Sequence, residues 1–238
     1  MGNPGLLNRI RKVNPDLSRS MSFKKAIKAV PGTLALFTTV SALQAQTTVL
    51  TNLPGSPPYT GNRAEVDSLA TSNVVGLTTS GNAVDFSSFT GYFENLTSVN
   101  VTLGGGIYSN NSGSPGSSLV SFTSQTVLAS DTTPTSFSLT TTSPYLLAAN
   151  TSYWFLLSAQ SGNLYWMADS SNAGTGTVPT ASQGYTSLGY EATSNGGANW
   201  ESVPINYTVQ VAVVPEPSTW AMMAAGIGSL LVFKRRRS

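Results

Sequence analysis

Tyr207-Thr208-Val209-Gln210-Val211-Ala212-Val213 decides the fold. Tyr207, Val209, Val211 and Val213 alternate with Thr208, Gln210 and Ala212, and side chains two apart share one face of an extended chain. The run therefore reads as a half-buried strand. The same period recurs at Val99, Val101 and Leu103, and at Phe137, Leu139 and Thr141. Further strands are expected over residues 118–128, 151–159, 164–168 and 184–193. Turn-forming runs separate them: Asn110-Asn111-Ser112-Gly113-Ser114-Pro115-Gly116, Ser161-Gly162-Asn163 and Asn195-Gly196-Gly197. No long stretch before the C-terminal tail shows helical spacing, and no repeat of fixed period is present. Residues 46–213 are thus expected to form an all-β domain, an antiparallel β-sandwich of jelly-roll type.

Charge divides the 238-residue chain into three parts. The net charge is +2, but residues 1–45 carry +6, residues 218–238 carry +4 and residues 46–217 carry −8. Arg63 is the one base in that central part. Phosphate backbones are bound by clustered Lys and Arg, so nucleic acid is excluded as a partner. The chain has no cysteine and no histidine. A disulfide framework, a Ser-His-Asp triad and a His-containing zinc site are therefore all ruled out. No cofactor motif is present. Gly104-Gly105-Gly106 lacks the spacing of a dinucleotide loop and reads as a bulge or tight turn.

The N-terminal part has the order of a secretory signal. Lys24, Lys25 and Lys28 precede an apolar stretch from Ala29 to Leu43, and Ala45 offers a small residue for cleavage. Residues 1–45 are assigned as signal peptide, helical through its apolar stretch. Met21 would start a signal of ordinary length, which leaves residues 1–20 as a candidate misassigned upstream start.

At the other end, Val214-Pro215-Glu216-Pro217-Ser218-Thr219-Trp220 leads into an apolar run over 221–233, followed by Lys234-Arg235-Arg236-Arg237. As a helix the run is about 20 Å long at about 1.5 Å per residue. That is short of the roughly 30 Å hydrocarbon core, so Trp220 and the flanking bases must help a short transmembrane helix to insert. The bases should stay cytoplasmic, leaving the β-domain on the far side. Pro215-Glu216-Pro217, the short apolar helix and the terminal Arg cluster together resemble the PEP-CTERM sorting signal. The resemblance implies recognition of the tripeptide by a membrane enzyme, exosortase, in Gram-negative bacteria that make extracellular polysaccharide. It implies transient membrane insertion of a precursor, removal of the tail, and release or attachment at the cell surface or in the matrix.

A second resemblance lies inside the β-domain. Ile107-Tyr108-Ser109, the Gly113–Gly116 turn and Ser117-Ser118-Leu119 form one half; Leu147-Ala148-Ala149-Asn150-Thr151-Ser152-Tyr153-Trp154-Phe155 and Trp166 form the other. Together they resemble the choice-of-anchor β-domains, type R in particular, that bacteria join to interchangeable sorting tails. That resemblance implies anchoring and no particular activity.

Adjacent aromatics are the most informative local feature. Tyr153-Trp154-Phe155 and Tyr165-Trp166 fall in expected strands, where neighbours point to opposite faces. They cannot all enter one core, so some must meet solvent, a covering loop or a ligand. Trp154, Trp166 and Tyr165 are the candidate glycan contacts; the alternative is that Trp154 and Trp166 lie in the sandwich core and the Tyr hydroxyls reach its rim. Glu65, Asp67, Glu94, Glu191 and Glu201 are the only carboxylates considered for glycoside hydrolysis, which needs two across a cleft; no spacing pairs them. Asp169-Ser170-Ser171-Asn172 is the best oxygen-rich loop for calcium, but it lacks the glycine and closing glutamate of an EF-hand. The leading expectation is a non-enzymatic structural or adhesive protein, exported and sorted by its tail, with extracellular polysaccharide as a candidate partner. A glycan-binding module and, more distantly, a carboxylate glycosidase are the alternatives. Mass spectrometry of exported material should find the N-terminus near Gln46; an intact Met1 or Met21 would refute the signal assignment.

Overall fold

The computed structural model describes residues 45–54, 63–67, 71–168, 177–215 and 226. Its strands in chain order are β1 (Thr47–Thr51), β2 (Arg63–Asp67), β3 (Ser72–Thr78), β4 (Val84–Asn95), β5 (Val101–Asn111), β6 (Ser114–Ser121), β7 (Gln125–Val127) and β8 (Asp131–Leu139). They continue with β9 (Leu146–Leu147), β10 (Ser152–Ser161), β11 (Asn163–Met167), β12 (Thr180–Ala181), β13 (Thr186–Thr193), β14 (Glu201–Ser202) and β15 (Gln210–Pro215). All pair antiparallel, in two sheets. One runs β12-β1-β15-β4-β11-β2 with β8 and β9 also on β4; the other runs β14-β13-β3-β10-β5-β6 with β7 also on β5. The all-β expectation holds. Gln210–Val213 of the deciding run lie in β15, which extends to Pro215, past the expected boundary at 213; Tyr207–Val209 precede the strand, with Tyr207 in an isolated bridge to Ala168.

β4 organises the first sheet because its length accommodates four partners. β15 and β8 both pair with it at Phe89 and Thr90, while β8 and β11 both pair with it at Phe93. β15 and β11 therefore lie end to end along one edge, with β8 and β9 along the other. Thr208 bridges the gap between β15 and β11. Its hydroxyl accepts the Tyr92 N–H at 2.9 Å and donates to the Met167 carbonyl at 3.0 Å.

The core between the sheets is aromatic. Trp166 is fully buried, stacked on Tyr207 at 4.8 Å between centroids and on Phe93 at 6.2 Å. Phe89 and Tyr190 meet it edge-on, and its indole N–H donates to the Thr208 carbonyl at 2.8 Å. Such rings bury large areas, and offset or edge contacts add to the burial. A chain without disulfides gains its stability here. Burial also pushes the Tyr207 hydroxyl up to about 12.

β3 and β4 have no clean alternation, which is why the period-2 pattern did not single them out. β3 is buried on both faces and β4 nearly so. Strands covered on both sides read as continuous apolar runs. The expected strand over 118–128 is two strands, β6 and β7. The expected seven-residue turn over 110–116 shrinks to Ser112 and Gly113, since Asn111 and Ser114 are already paired. Both turn residues have positive φ, 54° and 104°, the requirement of a type I′ hairpin.

The Gly104–Gly106 triplet is another departure: it lies inside β5 and makes no tight turn. At Gly105, with φ +134°, a Cβ would come within 1.9 Å of the Leu156 carbonyl oxygen, and at Gly106 within 2.4 Å of the Val120 carbonyl oxygen. Glycine lets the backbones of β10 and β6 approach β5 this closely. The signal segment lies outside the described residues except for Ala45, and the tail helix except for Gly226, which is helical. Among the described residues no helix is long and apolar enough to cross a membrane. Gly105→Ala should cost about 3 kcal/mol or more, from strained φ and a backbone clash. Gly113→Ala, in open space, should cost only about 1–2 kcal/mol. Equilibrium denaturation of both variants checks the ranking.

Candidate functional site

β10 carries Tyr153-Trp154-Phe155-Leu156-Leu157, all buried. Tyr153, Phe155 and Leu157 enter the inter-sheet core. Trp154 and Leu156 point the other way and form a second cluster with Val74, Tyr108 and Trp200 on the outer face of the sheet. Register explains the grouping. Trp154 pairs with Gly76 and Tyr108, Leu156 with Val74, and Val74 with Glu191, and antiparallel partners share a face. Gly76 makes room for the indole: a Cβ there would lie 2.9 Å from the Trp154 ring.

The β5–β6 hairpin tip covers this cluster. Asn110 Oδ1 accepts the Trp154 indole N–H at 2.9 Å, and Ser114 Oγ donates to Glu191 Oε1 at 3.2 Å. β10 and β3 separate β5 from β13, a distance of about 14 Å at about 4.8 Å per strand. The tip must therefore fold over the sheet to reach Glu191. Register shifts at Ile107/Tyr108 and Tyr108/Asn110 supply the bend, as bulges do. Trp154 thus meets the covering loop, and its ring is 1 % exposed.

Beside the tip lies a cleft of about 340 Å³. It is lined by the apolar Tyr108, Leu156 and Trp200, by the polar Asp67, Ser72, Ser158 and Thr193, and by Pro115 and Gly116 of the tip. The turn after β13 positions Trp200. Thr193 Oγ1 accepts the Gly197 N–H at 3.1 Å and donates to Asn195 Oδ1 at 2.8 Å, and Asn195 Oδ1 accepts the Asn199 N–H at 3.0 Å. Gly197, at φ +88°, sits beneath the indole. Tyr108 and Trp200 keep part of their rings exposed. Trp200 was not among the expected contacts because it lies between a Gly-rich turn and a two-residue strand, where no periodicity marks it.

The expected site residues fall elsewhere. Trp166 is in the core and Trp154 is under the hairpin tip, so neither offers a ring face to a sugar. Tyr165 is half-buried on the other sheet, with the Arg63 guanidinium 4.6 Å above its ring. Arg63 also bonds Glu94 Oε2 at 2.7 Å, and Glu94 is fully buried. Glu65 accepts a hydrogen bond from the Asn163 amide. Of the five carboxylates considered for hydrolysis, only Asp67 lines the cleft, and its Oδ1 accepts the Thr71 N–H at 3.0 Å. Among the described residues no three acids cluster to hold a metal. Asp169–Asn172 lies outside the described residues, as do Glu216, Pro217, Trp220 and Lys234–Arg237; Pro215 ends β15 and pairs with Val84.

Glu191 is a titratable latch for the tip. Burial raises its pKa above the ordinary 4.5, partly offset by the Ser114 hydroxyl, and Oε2 has no hydrogen-bond partner among the described residues. A raised carboxyl pKa means that the folded state favours the neutral form. Its contribution is therefore fully present below pH 4.5 and is lost as pH rises through the folded value. Glu191→Gln should melt higher than the parent at pH 7 and level with it near pH 4, as read by thermal unfolding.

Comparison with known proteins bears on the tail alone. No curated protein and no solved structure matches the chain. Residues 213–238, which span Pro215-Glu216-Pro217 and the basic terminus, carry the PEP-CTERM protein-sorting motif.

Proposed function

We propose that this chain is a non-enzymatic structural or adhesive protein of the bacterial cell surface or extracellular matrix, exported and then sorted by its tail. The observation that carries this reading is the sorting motif at residues 213–238. The motif implies an exported precursor, held at the membrane and processed by exosortase. The assigned parts are a signal at 1–45, the β-domain at 46–213 and the tail at 214–238. Geometry supports a tethered domain. Thr47 pairs with Val213 and Thr48 with Ala212, so the chain enters and leaves the sheet at the same end. Pro215 is still within β15, so the tripeptide abuts the folded sheet without a spacer.

The winding is taken as a jelly roll. β1 with β15, β3 with β10, β4 with β8 and β5 with β6 are nested antiparallel pairs, as in a long hairpin folded on itself. The likeness to choice-of-anchor domains of type R is kept as part of the same reading. Among the described residues one carboxylate, Asp67, lines the cleft, which favours a binding or structural role over glycoside hydrolysis. A glycan-binding role is favoured by the Tyr108–Trp200 cleft, in place of Trp154, Trp166 and Tyr165.

Pro215 and Pro217 fix φ and bias their preceding residues toward extended conformations, which presents Glu216 on a stiff segment. Glu216→Ala should leave export intact and block tail removal, so that a membrane-bound precursor accumulates. Replacing Lys234, Arg235, Arg236 and Arg237 with Ser should weaken retention and release unprocessed chain, because each base resists crossing the hydrocarbon core. Immunoblots of membrane and medium fractions, in a host with the sorting enzyme, test both. Parent-like trimming of Glu216→Ala would show that the tripeptide is not the signal.

A further inference from the structure

We infer that the cleft between the β5–β6 hairpin tip and the β13–β14 turn binds a neutral saccharide, with Trp200 and Tyr108 stacking on the sugar. The inference deepens the glycan-binding reading and is independent of how the tail is processed.

A sugar ring presents C–H faces and an equatorial belt of hydroxyls. The lining offers both chemistries: the half-buried aromatics Tyr108 and Trp200 with Leu156, and the hydroxyls of Ser72 and Ser158. Hydroxyl oxygens accept from sugar hydroxyls, and Ser also donates. At about 340 Å³ the space is at the small end of ligand sites, about 300–1,000 Å³, and suits one ring or the end of a chain.

Other ligand classes fit worse. Among the described residues no base lines the cleft. Arg63, the one base between residues 46 and 217, is engaged by Glu94 and Tyr165 on the other sheet. The net charge of −8 on that part of the chain disfavours phosphate, sulfate and uronate polymers. β3 and β10 are paired on both edges, so the floor of the cleft has no free main-chain edge to receive a peptide as an added strand.

The site is preformed. Trp200 rests on Gly197 in a turn held by Thr193 and Asn195, and Tyr108 is anchored in β5 opposite Trp154. Ring positions fixed before binding reduce the ordering cost on association.

The test is calorimetric titration of the full-length chain in mild detergent with cellohexaose, laminarihexaose, maltohexaose and mannohexaose, and with hexagalacturonate as the anionic counterpart. At least one neutral hexaose should bind, with hexagalacturonate weaker. Trp200→Ala and Tyr108→Ala should each weaken binding by about tenfold or more, the loss of a stacked ring. Trp200→Phe, which keeps an aromatic face, should stay within a few-fold of the parent, and melting curves verify that each variant is folded. Absence of binding to all four neutral probes would overturn the inference, as would parent-like affinity in folded Trp200→Ala or tighter binding of hexagalacturonate. Immunoblots of the same variants separate this outcome from failure of the sorting reading, since Trp200→Ala should be trimmed and distributed like the parent.

Discussion

Successive side chains of a strand point to opposite faces, and β10 is large and apolar at every position from Tyr153 to Leu157. No single core can take them all. The seven-stranded sheet must therefore be covered on both sides, and much of the rest follows from that requirement. One side is covered by the other sheet. The other is covered by the tip of β5–β6, bent over by two register shifts and fastened by the Trp154–Asn110 and Glu191–Ser114 contacts. The cleft lies beside this cover.

The domain compensates for the absence of disulfides with aromatic mass and with few, well-placed polar contacts. Trp166 touches Phe89, Phe93, Tyr190 and Tyr207, and its N–H is satisfied by the Thr208 carbonyl. A buried indole N–H without a partner would cost free energy on burial. Thr208 also joins β4 to β11, so one residue serves both packing and sheet continuity. The Arg63–Glu94 pair is a different kind of feature. Burying a carboxylate is costly, and a nearby guanidinium offsets that cost without making the pair a strong net stabiliser. Arg63 in addition ties the edge strand β2 across β11 to β4.

Chain ends and fold are coupled. β15 lies between β1 and β4, so the first sheet cannot close until the last strand of the domain is in place. The sorting tripeptide begins at the end of that same strand. A tail that holds the chain at the membrane thus acts on the strand that joins the first element of the sheet to its longest one.

The all-β class, the sorting motif of the C-terminal tail and the exclusion of His- and Cys-based chemistry were legible in the residues themselves. They depend on period, composition and order along the chain, which need no tertiary contact. The run 207–213 declared its strand because large apolar residues alternate with Thr208, Gln210 and Ala212 in the sequence, although nearly all of it is buried; β3 and β4 are covered on both faces and lack a clean alternation. Tyr153-Trp154-Phe155 announced that one face needed a cover, but not which segment would supply it. That was decided only in three dimensions. Asn110 and Ser114 reach Trp154 and Glu191 across 44 and 77 residues of sequence, and bulges in β5–β6 aim them there. Sheet register brings Tyr108 to the cleft and the Thr193–Asn199 turn brings Trp200 there; neither placement is recorded in the local sequence.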